Sequence, residues 1–346
     1  MTFLRKYILL IVVFITGAAV LVVEILAARI LAPFFGNTIY TYSSIISVVL
    51  GALSLGYYIG GKYSDRNPSH KLFYGIIVSA GLFIFLIEFF IIFLLGPLSK
   101  EFSFIYGPLF FSFLLFFIPS FLLGTLSPLA IKLQSIRFSG DGIGKITGEV
   151  FFYSTLGSIF GSLLSGFYLI PSFGVDTIIL TTGILLVFVG LLGLYFQKIQ
   201  KGIFFVLLLA VIFSVFICAF SASVSYGNVL YKGEGLYEQI LIFDGEKDER
   251  KIRYLRSEMN HSSAMYLDSE DLVYDYTKYF NLYKIFNKEP KNILVLGAGA
   301  YSVPKAYLQE TNAEVDAVEI EPKLYELSKT FFRLPDSPRL HNYIQD

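Results

Sequence analysis

Asn292-Ile293-Leu294-Val295-Leu296-Gly297-Ala298-Gly299-Ala300 is the stretch on which the reading of this chain turns. Its first half is a short unbroken apolar run, the pattern of a strand buried on both faces of a parallel sheet. Gly297 and Gly299 then let the backbone turn tightly and let a ligand approach the peptide groups with no Cβ in the way. Pro304, near the start of the next helix, with Tyr307 and Leu308 continuing it, leads to a second strand over Glu314 to Ile320. Glu319 follows Gly299 by twenty residues. At that spacing a βαβ unit sets a carboxylate beside the two hydroxyls of a bound ribose. A nucleoside-type ligand is the reading, against a βα turn with no ligand. Ser302 stands where a dinucleotide fingerprint has its third glycine, which favours an adenosyl compound over NAD.

Ahead of this unit the composition is that of a membrane protein. The whole chain is 55% hydrophobic and 16% charged, too apolar for the ordinary soluble class. Seven stretches are long enough to cross a bilayer core, which takes about twenty helical residues. They lie near Tyr7–Leu31, Tyr42–Gly61, Leu72–Leu95, Gly107–Leu133, Ile146–Ile170, Thr177–Phe196 and Gly202–Ala222. The first is too long for a cleaved signal and carries Glu24, so it reads as an uncleaved helix. Residues 1–223 are thus expected to form a polytopic helical bundle in a cell membrane.

Basic residues orient the bundle. Arg5, Lys6, Lys62, Arg66, Lys71, Lys132, Arg137, Lys145, Lys198 and Lys201 fall on one side; Arg29 and Lys100 fall on the other. The positive-inside rule puts the amino terminus in the cytoplasm. Seven spans would send the remainder outside, which conflicts with a cytoplasmic metabolite as ligand, so the side of the second half stays open. Gly56 and Gly60, and Gly157 and Gly161 with Ser158 and Ser162, recur at helix-packing intervals. Glu24 and Glu88 are carboxylates inside spans, where charge is costly and faces a partner or a wet cavity. Arg29 is five residues from Glu24, a poor same-face spacing. Asp65-Arg66 looks like the loop signature of major-facilitator transporters or is a charged turn.

After Ala222 charges become frequent. Lys and Arg against Asp and Glu give +5 for residues 1–223 and −5 for the rest, and an acidic second half argues against nucleic acid. Residues 224–290 read as a β-hairpin, Tyr237–Phe243 and Ile252–Leu255 around a turn from Asp244-Gly245 to Lys251, then a helix from Asp271 to Phe286 whose aromatic stripe belongs to the core. Residues 291–346 are the Rossmann-like part. Cys218 is the only cysteine, and His70, His261 and His341 are scattered, so no disulfide, zinc or other metal site is expected.

The whole chain resembles fused membrane proteins of the spermidine synthase-like family, a transporter-like multi-span half joined to an aminopropyltransferase domain. The membrane half carries the resemblance in Glu24-Ile25-Leu26-Ala27-Ala28-Arg29, Gly56-Tyr57-Tyr58-Ile59-Gly60-Gly61-Lys62, Gly124-Thr125-Leu126-Ser127-Pro128-Leu129-Ala130 and Ser154-Thr155-Leu156-Gly157-Ser158. The second half carries it in Tyr274, in Gly297-Ala298-Gly299, in Val318-Glu319-Ile320-Glu321 and in Asp336-Ser337-Pro338-Arg339 through Gln345-Asp346. The resemblance implies a methyltransferase-type fold in which Gly297, Gly299, Glu319 and Asp346 hold decarboxylated S-adenosylmethionine or its methylthioadenosine product, with Asp346 on the adenine side and no tightly bound cofactor. Glu238 and Tyr274 would lie on the amine side.

Departures fall on that amine side. Glu238 replaces a glutamine, Arg256-Ser257 replaces Asp-Gly, and Ala300 stands where the family has an aspartate that contacts the amine. A polyamine cation leaving water needs such carboxylates, so nucleoside binding is better supported than aminopropyl transfer. The family's catalytic aspartate is expected beyond Asp346, which leaves this chain, as a fragment of a longer protein, without its base. The two functions carried forward are an aminopropyl transferase and a transporter or sensor of polyamines or nucleosides; self-association is open.

Overall fold

The computed structural model describes residues 2–198, 205, 208, 212, 228–258, 260–286 and 289–345. The seventh expected span, Gly202–Ala222, falls outside the described residues except at three positions, and Cys218 and Asp346 lie outside them altogether. The chain divides into two compact units, Met1–Val224 and Ser225–Asp346.

Among the described residues, six helices of the first unit are long and apolar enough to cross a membrane. The first, α1, is helical from Thr2 to Phe35, and α2 spans Ile39–Arg66. They are followed by α3 (His70–Glu101), α4 (Gly107–Arg137), α5 (Ile143–Phe173) and α6 (Val175–Phe196). Most overrun the expected apolar windows, because backbone hydrogen bonding continues past the hydrocarbon-length stretch into polar ends. Asp65 and Arg66 are accordingly the last helical residues of α2 rather than a loop, and Asp65 accepts a 2.8 Å ion pair from Lys132 of α4. Half-exposed, that pair contributes little.

Glycine sets how these helices pair. An added Cβ on Gly157 of α5 would stand 2.0 Å from the Phe14 carbonyl oxygen of α1, and one on Gly17 would stand 2.2 Å from that of Ser154. Ser158 Oγ donates 3.0 Å to the Gly17 carbonyl across the same contact. On α2, a Cβ at Gly56 would lie 2.4 Å from the Phe121 oxygen of α4. Gly81 of α3 meets Gly183 of α6 in the same manner, 2.9 Å by the same measure. The main pairings are therefore α1 with α5, α2 with α4 and α3 with α6. Exchange of α1, α2, α3 for α4, α5, α6 maps this set onto itself.

The second unit begins with an antiparallel sheet, β1 (Val229–Glu234), β2 (Gln239–Lys247), β3 (Arg250–Ser257) and β4 (Asn260–Tyr266), in sequence order. The hairpin turn lies inside the expected Asp244–Lys251 segment but is shorter than it, since Asp244 and Gly245 belong to β2. It is formed by Asp248 and Glu249, both at positive φ (52° and 63°), the two-residue turn whose twist matches the strands. Asp244 instead faces Arg253 across the ladder, with Nε 2.7 Å from Oδ1 and Nη2 3.0 Å from Oδ2. The expected helix over Asp271–Phe286 is three short turns, Asp275–Lys278, Tyr279–Leu282 and Tyr283–Phe286. Tyr276, Tyr279 and Phe286 of its stripe are exposed, and Tyr283 packs against the core, its ring 5.4 Å from that of Tyr307.

A parallel sheet follows, β5 (Asn292–Leu296), β6 (Glu314–Glu319) and β7 (Leu340–Ile344), with α7 (Ser302–Glu310) and α8 (Lys323–Phe331) as crossovers. Val295, Val315, Ala317 and Leu340 pack against Tyr307 and Leu308 of α7 and against Tyr301. The opposite face is open among the described residues: Leu294 is 62% exposed and Leu296 74%. β5 is thus buried on one face, not on both. Ile240 and Ile242 of β2, Leu255 of β3 and Met265 of β4 share a cluster with Ala300, Leu324 and Phe332, so the antiparallel sheet and the glycine turn are parts of one core.

Candidate functional site

The site grows out of the turn after β5. Gly297 and Gly299 adopt positive φ, 81° and 57°, which glycine enters at no steric cost. Gly297 N–H donates 3.0 Å to the Val318 carbonyl, and Tyr301 N–H closes the turn on the Ala298 carbonyl at 2.8 Å. Ser263 of β4 supports it from the side, its Oγ accepting the Ala300 N–H at 3.1 Å. A Cβ on Gly299 would stand 2.6 Å from that Oγ.

Glu319, at the end of β6, turns its carboxylate to this turn. Its Oε2 accepts the Gly299 N–H at 2.7 Å, and its Oε1 accepts the N–H groups of Ile320 (2.9 Å) and Glu321 (3.1 Å). The residue is 7% exposed. A carboxylate only accepts, at about four lone-pair sites, and three backbone donors leave capacity for a ligand that brings hydroxyls. Because Glu319 already takes the Gly299 N–H and adds a negative charge beside it, the turn does not offer the anion cradle that a pyrophosphate needs.

Glu321, buried to 1%, organises the other wall. Its Oε2 accepts the Tyr237 N–H at 3.2 Å and its Oε1 the Lys323 N–H at 3.3 Å. The β1–β2 turn, closed by Gly235 N–H on the Glu238 carbonyl at 2.8 Å, is thereby docked beside the end of β6. Gly235 is required there, since a Cβ would lie 2.4 Å from Glu321 Oε2.

The structure thus brings Gly297, Gly299 and Glu319 together and sets the backbone turn that carries Glu238 close to them. Tyr274 is placed elsewhere: it packs with Ile252, Ala264 and Val273, a cluster separate from that of the glycine turn. Its hydroxyl is buried without a hydrogen-bond partner, and burial, aided by Tyr254 and Tyr276, pushes its pKa up to about 12. Ala300 is buried among apolar side chains, so the position of the family's amine-binding aspartate faces core here. His261 lies against the Tyr254 and Phe243 rings at 5.2 and 5.9 Å, and burial and then Arg256 hold its pKa below the usual histidine value. In the first unit, Glu24 and Arg29 are half-buried on α1 and Glu88 is buried on α3.

Three residues escaped the sequence reading. Ser263 carried no signal. Lys305 sits in α7 at a position buried to 5%, its Nζ 2.6 Å from Glu270 Oε2 and 3.0 Å from the Phe332 carbonyl. Burial pushes Glu270 up, but the Lys305 hydrogen bond and charge, joined by Arg333, outweigh it and hold the carboxyl below its ordinary range. The third is Tyr301, whose phenol donates to Asn342 Oδ1 on β7.

A helical half with six apolar candidate spans, followed by an α/β unit whose glycine turn meets a buried acid, is the class that the fold defines. Comparison with known proteins narrows that class. The chain is 26% identical over 328 residues to polyamine aminopropyltransferase 2 of Aquifex aeolicus (strain VF5), across 92% of this chain and 62% of the relative. It is 25% identical over 114 residues to polyamine aminopropyltransferase of Vibrio vulnificus (strain CMCP6), across 32% of this chain and 38% of the relative. The similarity is therefore to polyamine aminopropyltransferases, at low identity, and the chain spans less than two thirds of the length of either relative. A solved structure described as "a probable spermidine synthase from Corynebacterium glutamicum ATCC 13032" aligns with 34% of this chain and 44% of its own, at 19% identity and a TM-score of 0.29. No family model matches.

Proposed function

We propose that the second unit binds an adenosyl nucleoside, decarboxylated S-adenosylmethionine or methylthioadenosine, and that the protein is a membrane-bound, spermidine synthase-like transferase of an aminopropyl or related group. The observation that carries the reading is the 2.7 Å contact between Gly299 N–H and Glu319 Oε2, which supports it by setting the turn and the acid side by side, within reach of one sugar. In aminopropyl transfer the amine nitrogen attacks the propyl carbon next to sulfur, the carbon–sulfur bond breaks, methylthioadenosine leaves, and a base removes the amine proton. Fixing donor and amine in line supplies much of the rate. Glu319 and the glycine turn are assigned the donor's sugar; Asp346, outside the described residues, is assigned the adenine side; Glu238 is the acid on the β1–β2 turn for an amine. The proton is assigned to no described residue, and Ala300, in the core, supplies no carboxylate to the amine.

Isothermal titration of the full chain in detergent tests it. Methylthioadenosine is expected to give saturable heat and S-adenosylmethionine a weaker response; no heat from either in folded protein overturns the assignment.

A second reading, a polyamine or nucleoside transporter or sensor with the second unit as regulator, is favoured by the helix pairing. A three-plus-three repeat of that kind underlies many transporters, with sites near the midplane. Uptake of labelled spermidine by vesicles, lost on Glu24→Gln, is its expected sign; equal uptake by the variant removes Glu24 from it.

A further inference from the structure

Tyr301 occupies the left-handed region, φ 57° and ψ 24°, where a bulky residue is a genuine outlier. The other left-handed residues of this turn are glycines. Such a backbone persists only where its surroundings over-determine it, and these places cluster at functional sites. The surroundings here are specific. The Tyr301 ring is fully buried and meets Tyr325 edge-on at 5.5 Å. Its hydroxyl donates to Asn342, which pairs with Ala317, two residues before Glu319. Burial, and then the Glu319 charge, raise its pKa, which keeps the phenol neutral and able to donate. The side chain therefore runs from the glycine turn past β6 to β7, close beside Glu319.

We propose that Tyr301 is a positioning residue of the nucleoside site: anchored on Asn342, it fixes the glycine turn relative to the Glu319 carboxylate, so that the acceptor site which the backbone leaves free on Glu319 meets the 2′-hydroxyl that a ribose has and a deoxyribose lacks. This rests on the nucleoside reading above and adds to it the residue that sets the choice of sugar. A side chain that only fills the core would be replaced by Phe without consequence for sugar choice, because the ring volume is unchanged. A strut that sets the geometry of the acid would not: Gly297, Gly299 and Ala300 are held by Val318, Glu319 and Ser263, and the Tyr301–Asn342 bond adds the tie from the end of the turn to β7.

The test is titration of the full chain with adenosine and with 2′-deoxyadenosine, for the wild type and Tyr301→Phe, alongside thermal melting. Wild type is expected to prefer adenosine by about tenfold, the worth of one hydrogen bond to a charged acceptor. Tyr301→Phe is expected to melt cooperatively and to bind both within about threefold. An unchanged preference in the variant overturns the strut while leaving the nucleoside reading intact. No binding of either compound by wild type overturns both. Asn342→Val removes the anchor from the other end; should Tyr301→Phe not fold, the same loss of preference is expected there, and its retention has the same overturning force.

Discussion

Glu319→Gln is expected to lower the affinity for methylthioadenosine by about 10- to 100-fold. The carboxylate is an acceptor-only group whose three backbone donors leave about one lone-pair site, and the ribose diol brings the O–H donor for it. Hydrogen bonds to a charged acceptor are worth about 1.5–3 kcal/mol each, and about 1.4 kcal/mol is a factor of ten. The glutamine also has to direct its NH2 at a backbone N–H. If its oxygen keeps Ile320 and Glu321, the Gly299 N–H loses its 2.7 Å acceptor, and a stranded buried donor costs about 1–3 kcal/mol in stability. The variant should therefore both bind poorly and melt earlier. Titration and thermal melting read the two effects separately. Binding within threefold of wild type in a folded variant would remove Glu319 from the site. Glu321→Gln is the contrast: its acceptors serve Tyr237 and Lys323, so it should loosen the β1–β2 turn more than it weakens the nucleoside.

What could be read ahead of the structure follows the reach of each interaction. The unit from Asn292 to Glu319 was legible because strand, glycine turn, helix and strand are local, and the twenty-residue interval to the acid follows from the length of the crossover. The turn of the hairpin was drawn too long because Asp244-Gly245 looks like turn chemistry in isolation. In the ladder Asp244 is opposite Arg253, nine residues on, and the pairing of the two decides in favour of strand. Strands β1 and β4 went unread for the same reason: neither Val229–Glu234 nor Asn260–Tyr266 alternates cleanly, and each is specified by its neighbour. Leu294 and Leu296 promised a strand covered on both faces, but apolar content alone does not say what covers it. Lys305 is the sharpest case. A lysine in a nine-residue helix reads as solvent-facing, and only the Glu270 carboxylate, thirty-five residues earlier, explains its burial.

In the first unit the small-residue spacing was legible and the partner helices were not, and this difference sets up the second large effect. Gly157→Leu is expected to destabilise the bundle by about 3 kcal/mol or more, at the top of the range for overpacking, whereas Gly148→Leu, nine residues closer to the start of α5, is expected to be nearly neutral. The two glycines share a helix, have similar intrinsic propensity and would both accept leucine gladly on that ground. They differ in what a Cβ would meet: the Phe14 carbonyl oxygen at 2.0 Å in one case, and nothing within 4 Å in the other. The obstacle at Gly157 is backbone, which no rotamer change can clear, so α1 and α5 would have to separate. Separation also lengthens the Ser158–Gly17 hydrogen bond, now 3.0 Å, and the contact at Gly17, whose own Cβ position is 2.2 Å from Ser154. For helices that span a bilayer, as proposed for these six, lipid tails are as apolar as the side chains and close backbone packing is a principal source of association, so little would be left to compensate. Thermal aggregation of the detergent-solubilised protein measures both variants. Equal midpoints for Gly157→Leu and wild type would mean that α1 and α5 do not approach each other at these glycines.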